Sequence, residues 1–416
     1  MFKPKSSLIQ ELQLRGYIHQ CTNIEELDQL ATKKKLVAYI GFDCTAESLH
    51  IGSLIQLMLI RILQKTGHQV IVLLGEGTSK IGDPSGKDKS RQLLNEKEIK
   101  NNSQNIRKNI EKFTIKNKNV KKIKFLDNSI WLDNINYINF LRTYGKNVSV
   151  NKMLSMDSVN ERLKRAQPLS FLEFNYMIIQ AYDFFQLNSR ENCEVQFGGS
   201  DQWGNITAGV DLIRRINKKK VFGLTTPLIT TASGDKMGKT NKNAVWLSEK
   251  LLSSNGYWQF WRNVDDKDVI RFLQMFTDLG LDKIQDLKNK NENINQLKIL
   301  LANQTTKMLH GKTAAKNAGL TAKNTFEKKS IGEDLPSINL KKEEVINGIN
   351  IVDLVITSNL LNSKSEVRRM IKNKGIKVNN IPVENDQFNV SLNNFEKENF
   401  LKLSHGKKKH VIFRII

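Results

Sequence analysis

Tyr176, Gln180 and Asp183 recur at positions i, i+4 and i+7 of a mostly apolar stretch, Phe174 to Phe185. In a helix they share one face. A hydroxyl, an amide and a carboxylate between apolar flanks describe the floor of a polar pocket. A second set of chemical groups occupies a strand-to-helix junction, Tyr39-Ile40-Gly41-Phe42-Asp43-Cys44-Thr45-Ala46-Glu47-Ser48-Leu49-His50-Ile51-Gly52-Ser53. A helix N-terminus offers unpaired N–H groups and partial positive charge. Gly52 lets a flat or anionic ligand approach the backbone. His50 adds a donor suited to phosphate. Alone, a glycine and a histidine there describe only a tight turn.

Three later segments carry related chemistry. The loop from Gly75 to Arg91 contains Gly82-Asp83-Pro84-Ser85-Gly86 and ends in Lys87, Lys89 and Arg91. Cations on such a loop can close over phosphates. Gly198-Gly199-Ser200-Asp201-Gln202 repeats the strand, glycine turn and helix start, with Asp201 and Gln202 at the mouth. Lys236-Met237-Gly238-Lys239-Thr240 adds two lysines and a hydroxyl.

The elements that must position these groups follow from apolar patterning. Leu36 to Ile40, Leu54 to Leu63 and Gln69 to Leu74 read as strand, helix, strand, a βαβ unit with a parallel sheet. In such sheets ligands bind beyond the carboxyl ends of the strands. Residues 1–35 read as a helix with a polar connection, and 96–114 as a polar helix. Short strands are expected at Ile123 to Leu126 and Glu194 to Phe197, and a last one over Val221 to Thr231. The fold class is α/β, a Rossmann-like parallel sheet. The expected division is a catalytic domain over 1–230, a catalytic loop over 231–245, a helical domain over 246–322, a linker over 323–345 and a small α+β domain over 346–416.

The 416-residue chain has a net charge of +23 and a sequence pI near 9.7. That suits a polyanionic partner, although Lys and Asn crowd the whole chain. The last 71 residues hold twelve Lys and Arg against six Asp and Glu, denser than the chain average. No apolar run approaches the ~20 residues a membrane span needs. Three scattered cysteines, Cys21, Cys44 and Cys193, form neither a disulfide framework nor a metal site, which points to the cytoplasm.

The four motifs in this order resemble bacterial-type tyrosyl-tRNA synthetase, a class I aminoacyl-tRNA synthetase. His50-Ile51-Gly52-Ser53 and Lys236 to Thr240 are similar to the class signatures written HIGH and KMSKS. The resemblance covers essentially the whole chain, since 346–416 is similar to the S4-like RNA-binding domain. It implies that Tyr39 and Asp183 bond the tyrosine phenol, and that Asp83, Tyr176 and Gln180 hold its α-ammonium, with Gln196 nearby. Gly41, Asp43, His50, Gly52, Ser53, Asp201, Gln202 and Lys239 would contact ATP or the adenylate. Thr45 and His50 would face the γ-phosphate, and Lys87, Arg91, Lys236, Lys239 and Thr240 would clamp pyrophosphate. Three positions depart from the signatures. Ser53 stands where the second histidine is usual, and Gly238 and Thr240 replace two serines.

The implied partners are L-tyrosine, ATP with Mg²⁺ on its phosphates, tRNA(Tyr) and a second subunit, with Tyr137 to Val150 expected at the dimer interface and no membrane. The chemistry is attack of a carboxylate on a phosphate, which needs in-line positioning and cations on the leaving group. Alternatives are a tryptophanyl-tRNA synthetase, a small-molecule adenylyltransferase and a non-catalytic RNA-binding protein. Asp183 with Tyr39 opposes the first, the Lys236 loop and basic tail the second, and intact His50, Asp83 and lysines the third.

Overall fold

The computed structural model describes residues 2–84, 93–232, 234, 237, 244–290, 292–326, 335–395, 400–406 and 409–416, with the side chains of 158 and 324–326 left aside. The chain divides into two compact units, 1–311 and 312–416.

The first unit is built on a six-stranded sheet: β1 (Gln20–Cys21), β2 (Val37–Asp43), β3 (Gln69–Gly75), β4 (Lys124–Asp127), β5 (Val195–Gly199) and β6 (Phe222–Thr226). Their spatial order is β1-β6-β5-β2-β3-β4, with β1 antiparallel to β6 and every other pair parallel. The chain runs outward from β2 through β3 to β4, then returns to place β5 on the other side of β2. That reversal makes β2/β5 the switch point at which such sheets open a crevice. The register there pairs Tyr39 with Gln196, which sets the two side chains next to each other.

Strand alternation explains the core. Tyr39, Ile71 and Leu73 pack against the helices Tyr176–Glu191 and Trp203–Ile216, among Phe184, Leu187 and Leu212. The alternate residues Ala38, Ile40, Val70 and Val72 are buried as well. Both faces are therefore covered, and the strands read as continuous apolar runs, as parallel strands do. The crossover helix Leu54–Lys65 is buried along nearly its whole length. Helix Glu96–Phe113 is held by a capping box of Asn95 and Glu98 and buries Ile99, Ile106, Ile110 and Phe113.

The amino-terminal stretch is two helices, Ser7–Leu14 and Ile24–Lys33, separated by β1, where one helix with a polar connection is expected from sequence. Gly16 at φ 74° and the pairing of β1 with β6 break it. The last strand of the sheet stops at Thr226 because Pro227 lacks the N–H to continue the ladder. Among the described residues no helix is long and apolar enough to cross a membrane.

The second unit carries its own sheet, built from β7 (Ser337–Leu340), β9 (Ile376–Val378), β10 (Ile381–Pro382), β12 (Phe400–His405) and β13 (Lys409–Ile415). Their order is β10-β9-β12-β13-β7, and a separate pair joins β8 (Ile349–Asn350) to β11 (Asn389–Val390). Helices Ile351–Thr357 and Lys364–Lys372 pack into its core through Val352, Val355, Val367 and Ile371. The stretch read from sequence as a linker, 323–345, departs from that reading. It holds the end of a helix over Ile294–Phe326, then β7 pairing parallel with β13, then helix Lys342–Ile346. Only Ile338 and Leu340 alternate there, too short a pattern to register against polar neighbours. That long helix is itself interrupted at Gly311, whose φ of 90° is non-helical, so the helical stretch assigned to 246–322 crosses the division between units.

Candidate active site

A cavity of about 450 Å³ opens at the carboxyl ends of β2, β3, β5 and β6. It is lined by thirteen of the residues singled out from sequence: Tyr39, Gly41, Asp43, His50, Gly52, Ser53, Asp83, Tyr176, Gln180, Asp183, Gln196, Asp201 and Gln202. Thr45 lies on the turn after β2 and is not among the lining residues. Lys87, Arg91, Lys236, Lys239 and Thr240 lie outside the described residues.

The helix Tyr176–Glu191 puts its polar face into the cavity, with Tyr176 and Asp183 both buried. Asp183 accepts from Asn128 Nδ2 at 2.9 Å and from Trp131 Nε1 at 2.7 Å, one donor for each oxygen. Burial pushes its carboxyl up to about 7, while the two hydrogen bonds pull it back down. The Tyr39 hydroxyl is buried in the same cavity and has no partner among the described residues. Burial, and secondarily the Asp183 charge, holds that phenol protonated. The floor therefore pairs a fixed acceptor with an uncommitted hydroxyl, a match for a ligand group that both donates and accepts.

Asn128 and Trp131 were not legible beforehand. They sit on the short segment after β4, and Asn128 is 1% exposed. Asn128 Oδ1 accepts from the Gly77 N–H at 2.8 Å, and its Nδ2 also donates to Thr78 Oγ1 at 3.0 Å. Thr78 Oγ1 donates to Asp43 Oδ1 at 2.9 Å. Tyr176 donates to the other Asp43 oxygen at 2.9 Å. With its proton so committed, the Tyr176 oxygen remains an acceptor. Gly75 makes room, since a Cβ there would stand 2.5 Å from Thr78 Oγ1 and 2.6 Å from Asp43 Oδ1.

A second chain of amides crosses the cavity rim. Gln202 Nε2 donates to Asp83 Oδ2 at 2.7 Å. Asn205 Nδ2 donates to Gln202 Oε1 at 3.1 Å and to Gln180 Oε1 at 3.0 Å. Gln56 also lines the cavity; its Nε2 donates to Thr226 Oγ1 at 2.9 Å and its Oε1 has no partner among the described residues. Neither Asn205 nor Gln56 is marked by any sequence pattern.

At the helix mouth His50 Nδ1 accepts from the Gly52 N–H at 2.9 Å, which leaves Nε2 as the protonated nitrogen of the neutral ring. A Cβ on Gly52 would lie 2.6 Å from His50 Cε1, so this capped turn needs glycine. The turn is stitched to the far flank of the Lys236–Thr240 segment. Ile51 N donates to Val245 O at 2.8 Å, Leu247 N to Leu49 O at 2.9 Å, and His50 packs edge-on against Trp246. On the near flank Met237 lines the cavity and its N–H bonds Ile229 O at 2.8 Å. The first and last motifs, some 190 residues apart in sequence, thus border one cavity.

A parallel sheet with a polar-floored cavity at its switch point, bordered by both signature motifs, defines a nucleotide-dependent amino-acid-activating class. The family model described as tRNA synthetases class I (W and Y) matches residues 31–327, and the chain belongs to that family. A second model, described as Tyrosine--tRNA ligase SYY-like C-terminal domain, matches residues 327–413. The chain is 54% identical to a Tyrosine--tRNA ligase of Pelagibacter ubique, over 99% of this chain and 100% of that one. It is 49% identical to a Tyrosine--tRNA ligase of Rickettsia typhi, over 98% and 100%. Among solved structures it resembles a C-terminally truncated Aspergillus nidulans mitochondrial tyrosyl-tRNA synthetase, with TM-score 0.70 and 28% identity over 77% of this chain and 95% of that one. Within the class, its family is that of the tyrosine--tRNA ligases.

Proposed function

We propose that this tyrosine–tRNA ligase performs both of its steps in the cavity at the β2/β5 switch point. L-tyrosine enters with its phenol against Asp183 and Tyr39. The phenol donates to the Asp183 carboxylate and accepts from the Tyr39 hydroxyl. That complementary pair is the observation that carries the reading. The α-ammonium is held by Asp83, Gln180 and the Tyr176 oxygen, whose own proton is engaged by Asp43. ATP lies along His50, Gly52, Ser53, Asp201 and Gln202.

The tyrosine carboxylate attacks the α-phosphorus. The α–β phosphoanhydride bond breaks, giving tyrosyl-adenylate and pyrophosphate. No side-chain nucleophile is required, because the substrate brings its own. The His50 Nε2–H and the cations Lys87, Arg91, Lys236 and Lys239, with Thr240, stabilise charge on the leaving group. Mg²⁺ arrives on the ATP phosphates as part of the substrate. In the second step a hydroxyl of the tRNA terminal ribose attacks the acyl carbonyl, forming tyrosyl-tRNA and releasing AMP.

The basic second unit, S4-like in this reading, supplies phosphate contacts to tRNA. The active form is a homodimer. Large apolar side chains stand exposed at Ile130, Tyr137, Ile138, Val150, Leu163 and Phe171, and a second copy of the chain packed there would take them out of water. The free cysteines fit the cytoplasm. Equilibrium binding tests the pocket. Removing the Tyr39 hydroxyl with Tyr39→Phe should weaken L-tyrosine about 2- to 12-fold and should strengthen phenylalanine, which otherwise leaves that hydroxyl buried and unpaired. Equal loss for both amino acids counts against it.

A further inference from the structure

Asn205 is buried in the first turn of the helix Trp203–Ile216, at 5% exposure, and belongs to none of the motifs that mark the site. Its amide nitrogen nevertheless donates to two glutamines, Gln180 at 3.0 Å and Gln202 at 3.1 Å. In the reading above, Gln180 belongs to the tyrosine subsite and Gln202 to the ATP subsite. Gln202 in turn donates to Asp83, the carboxylate that takes the α-ammonium.

The direction of every bond in this chain is dictated by one end. A carboxylate only accepts, so Gln202 must turn its NH₂ to Asp83 and its oxygen to Asn205. Asn205 must then present NH₂. An amide nitrogen carries two hydrogens, and both are spent, one on each glutamine oxygen. Gln180 is thereby fixed with its oxygen toward Asn205, that oxygen keeping a second lone pair for the substrate. Without Asn205 the Gln180 amide could rotate by half a turn and offer hydrogens where an acceptor is needed, while Gln202, still oriented by Asp83, would lose the tether on its oxygen.

We infer that Asn205 is a positioning residue which tethers Gln202 and fixes Gln180 in the orientation that Asp83 and Gln202 dictate, and so couples the tyrosine subsite to the ATP subsite. The inference rests on the assignment of those subsites. Asn205→Asp keeps the shape and replaces both donors with acceptors that face two glutamine oxygens. KM for tyrosine and KM for ATP should both rise, by roughly three- to tenfold for each lost bond, with little change in melting temperature. A merely structural asparagine would lower the melting temperature and leave both KM values alone.

The direct test is a double-mutant cycle of Gln180→Ala and Gln202→Ala in tyrosine-dependent pyrophosphate exchange. In the wild-type background the two should be non-additive by roughly threefold or more. In the Asn205→Ala background they should become additive. Where that variant is too unstable, Asn205→Asp serves as the background with the same expectation. Coupling that persists in either background overturns the inference. If Gln180→Ala leaves KM for tyrosine unchanged, or Gln202→Ala leaves KM for ATP unchanged, the subsite assignment itself fails and the inference falls with it.

Discussion

Discrimination against phenylalanine can be worked out from the floor of the cavity. Phenylalanine removes the substrate hydroxyl and nothing else. Asp183 keeps its bonds from Asn128 and Trp131, so only its third bond is lost. A hydrogen bond to a charged group contributes about 1.5–3 kcal/mol. The Tyr39 hydroxyl, which has no partner among the described residues, stays buried and unpaired, at about 1–3 kcal/mol. Together these give about 2.5–6 kcal/mol, or roughly 10²- to 10⁴-fold in kcat/KM. Asp183→Asn makes the acceptor neutral, lowering its bond to about 0.5–1.5 kcal/mol and the tyrosine-over-phenylalanine ratio by roughly five- to tenfold. The assay is pyrophosphate exchange with each amino acid, on variants whose folding is verified by circular dichroism. If both efficiencies fall together and the ratio is unchanged, Asp183 is scaffolding and the phenol is read elsewhere.

Four further outcomes are expected. The pKa of Asp183, raised by burial to about 7, makes kcat/KM for tyrosine rise as pH passes from 6 to 8, since only the ionised carboxylate accepts the phenol proton; Asp183→Asn should lose that limb. The folded state also binds a proton between about pH 4 and 7 that the unfolded state releases, so the Asp183 contribution to stability falls across that window. Melting scans should show the Asp183→Asn variant gaining relative to wild type as pH rises. Lys236→Ala and Lys239→Ala should each slow adenylate formation in rapid-quench experiments with little change in tyrosine affinity, because they act on the leaving group in the transition state. Truncation after Phe326 should leave tyrosine activation intact and abolish tRNA charging, as measured by exchange and by aminoacylation of tRNA(Tyr).

The parts of the site legible in the sequence were those written as local pattern. Tyr176, Gln180 and Asp183 stood out because helical spacing forces three polar groups onto one face of an apolar segment. The glycine turns at Gly52, beside His50, and at Gly198-Gly199, before Asp201, stood out because each lies between a strand and a helix. Asn128, Trp131, Asn205 and Gln56 were not legible. Each is a single polar or aromatic residue with a partner that only the tertiary fold brings near; Asn128 and Asp183 are 55 positions apart, and Asn205 and Gln180 are 25 apart. β7 escaped for a related reason. Its four residues are stabilised by β13, more than 70 positions later, and nothing local marks them. The sheet order itself follows from a reversal between β4 and β5 that periodicity does not encode.

The central claim is that the β2/β5 cavity activates L-tyrosine with ATP. Exchange of labelled pyrophosphate into ATP by the full-length protein, run separately with each of the twenty amino acids, tests it most directly. Tyrosine alone should support rapid exchange, and Asp183→Asn should reduce it. Exchange driven equally by tryptophan or phenylalanine, or none with tyrosine, would contradict the account.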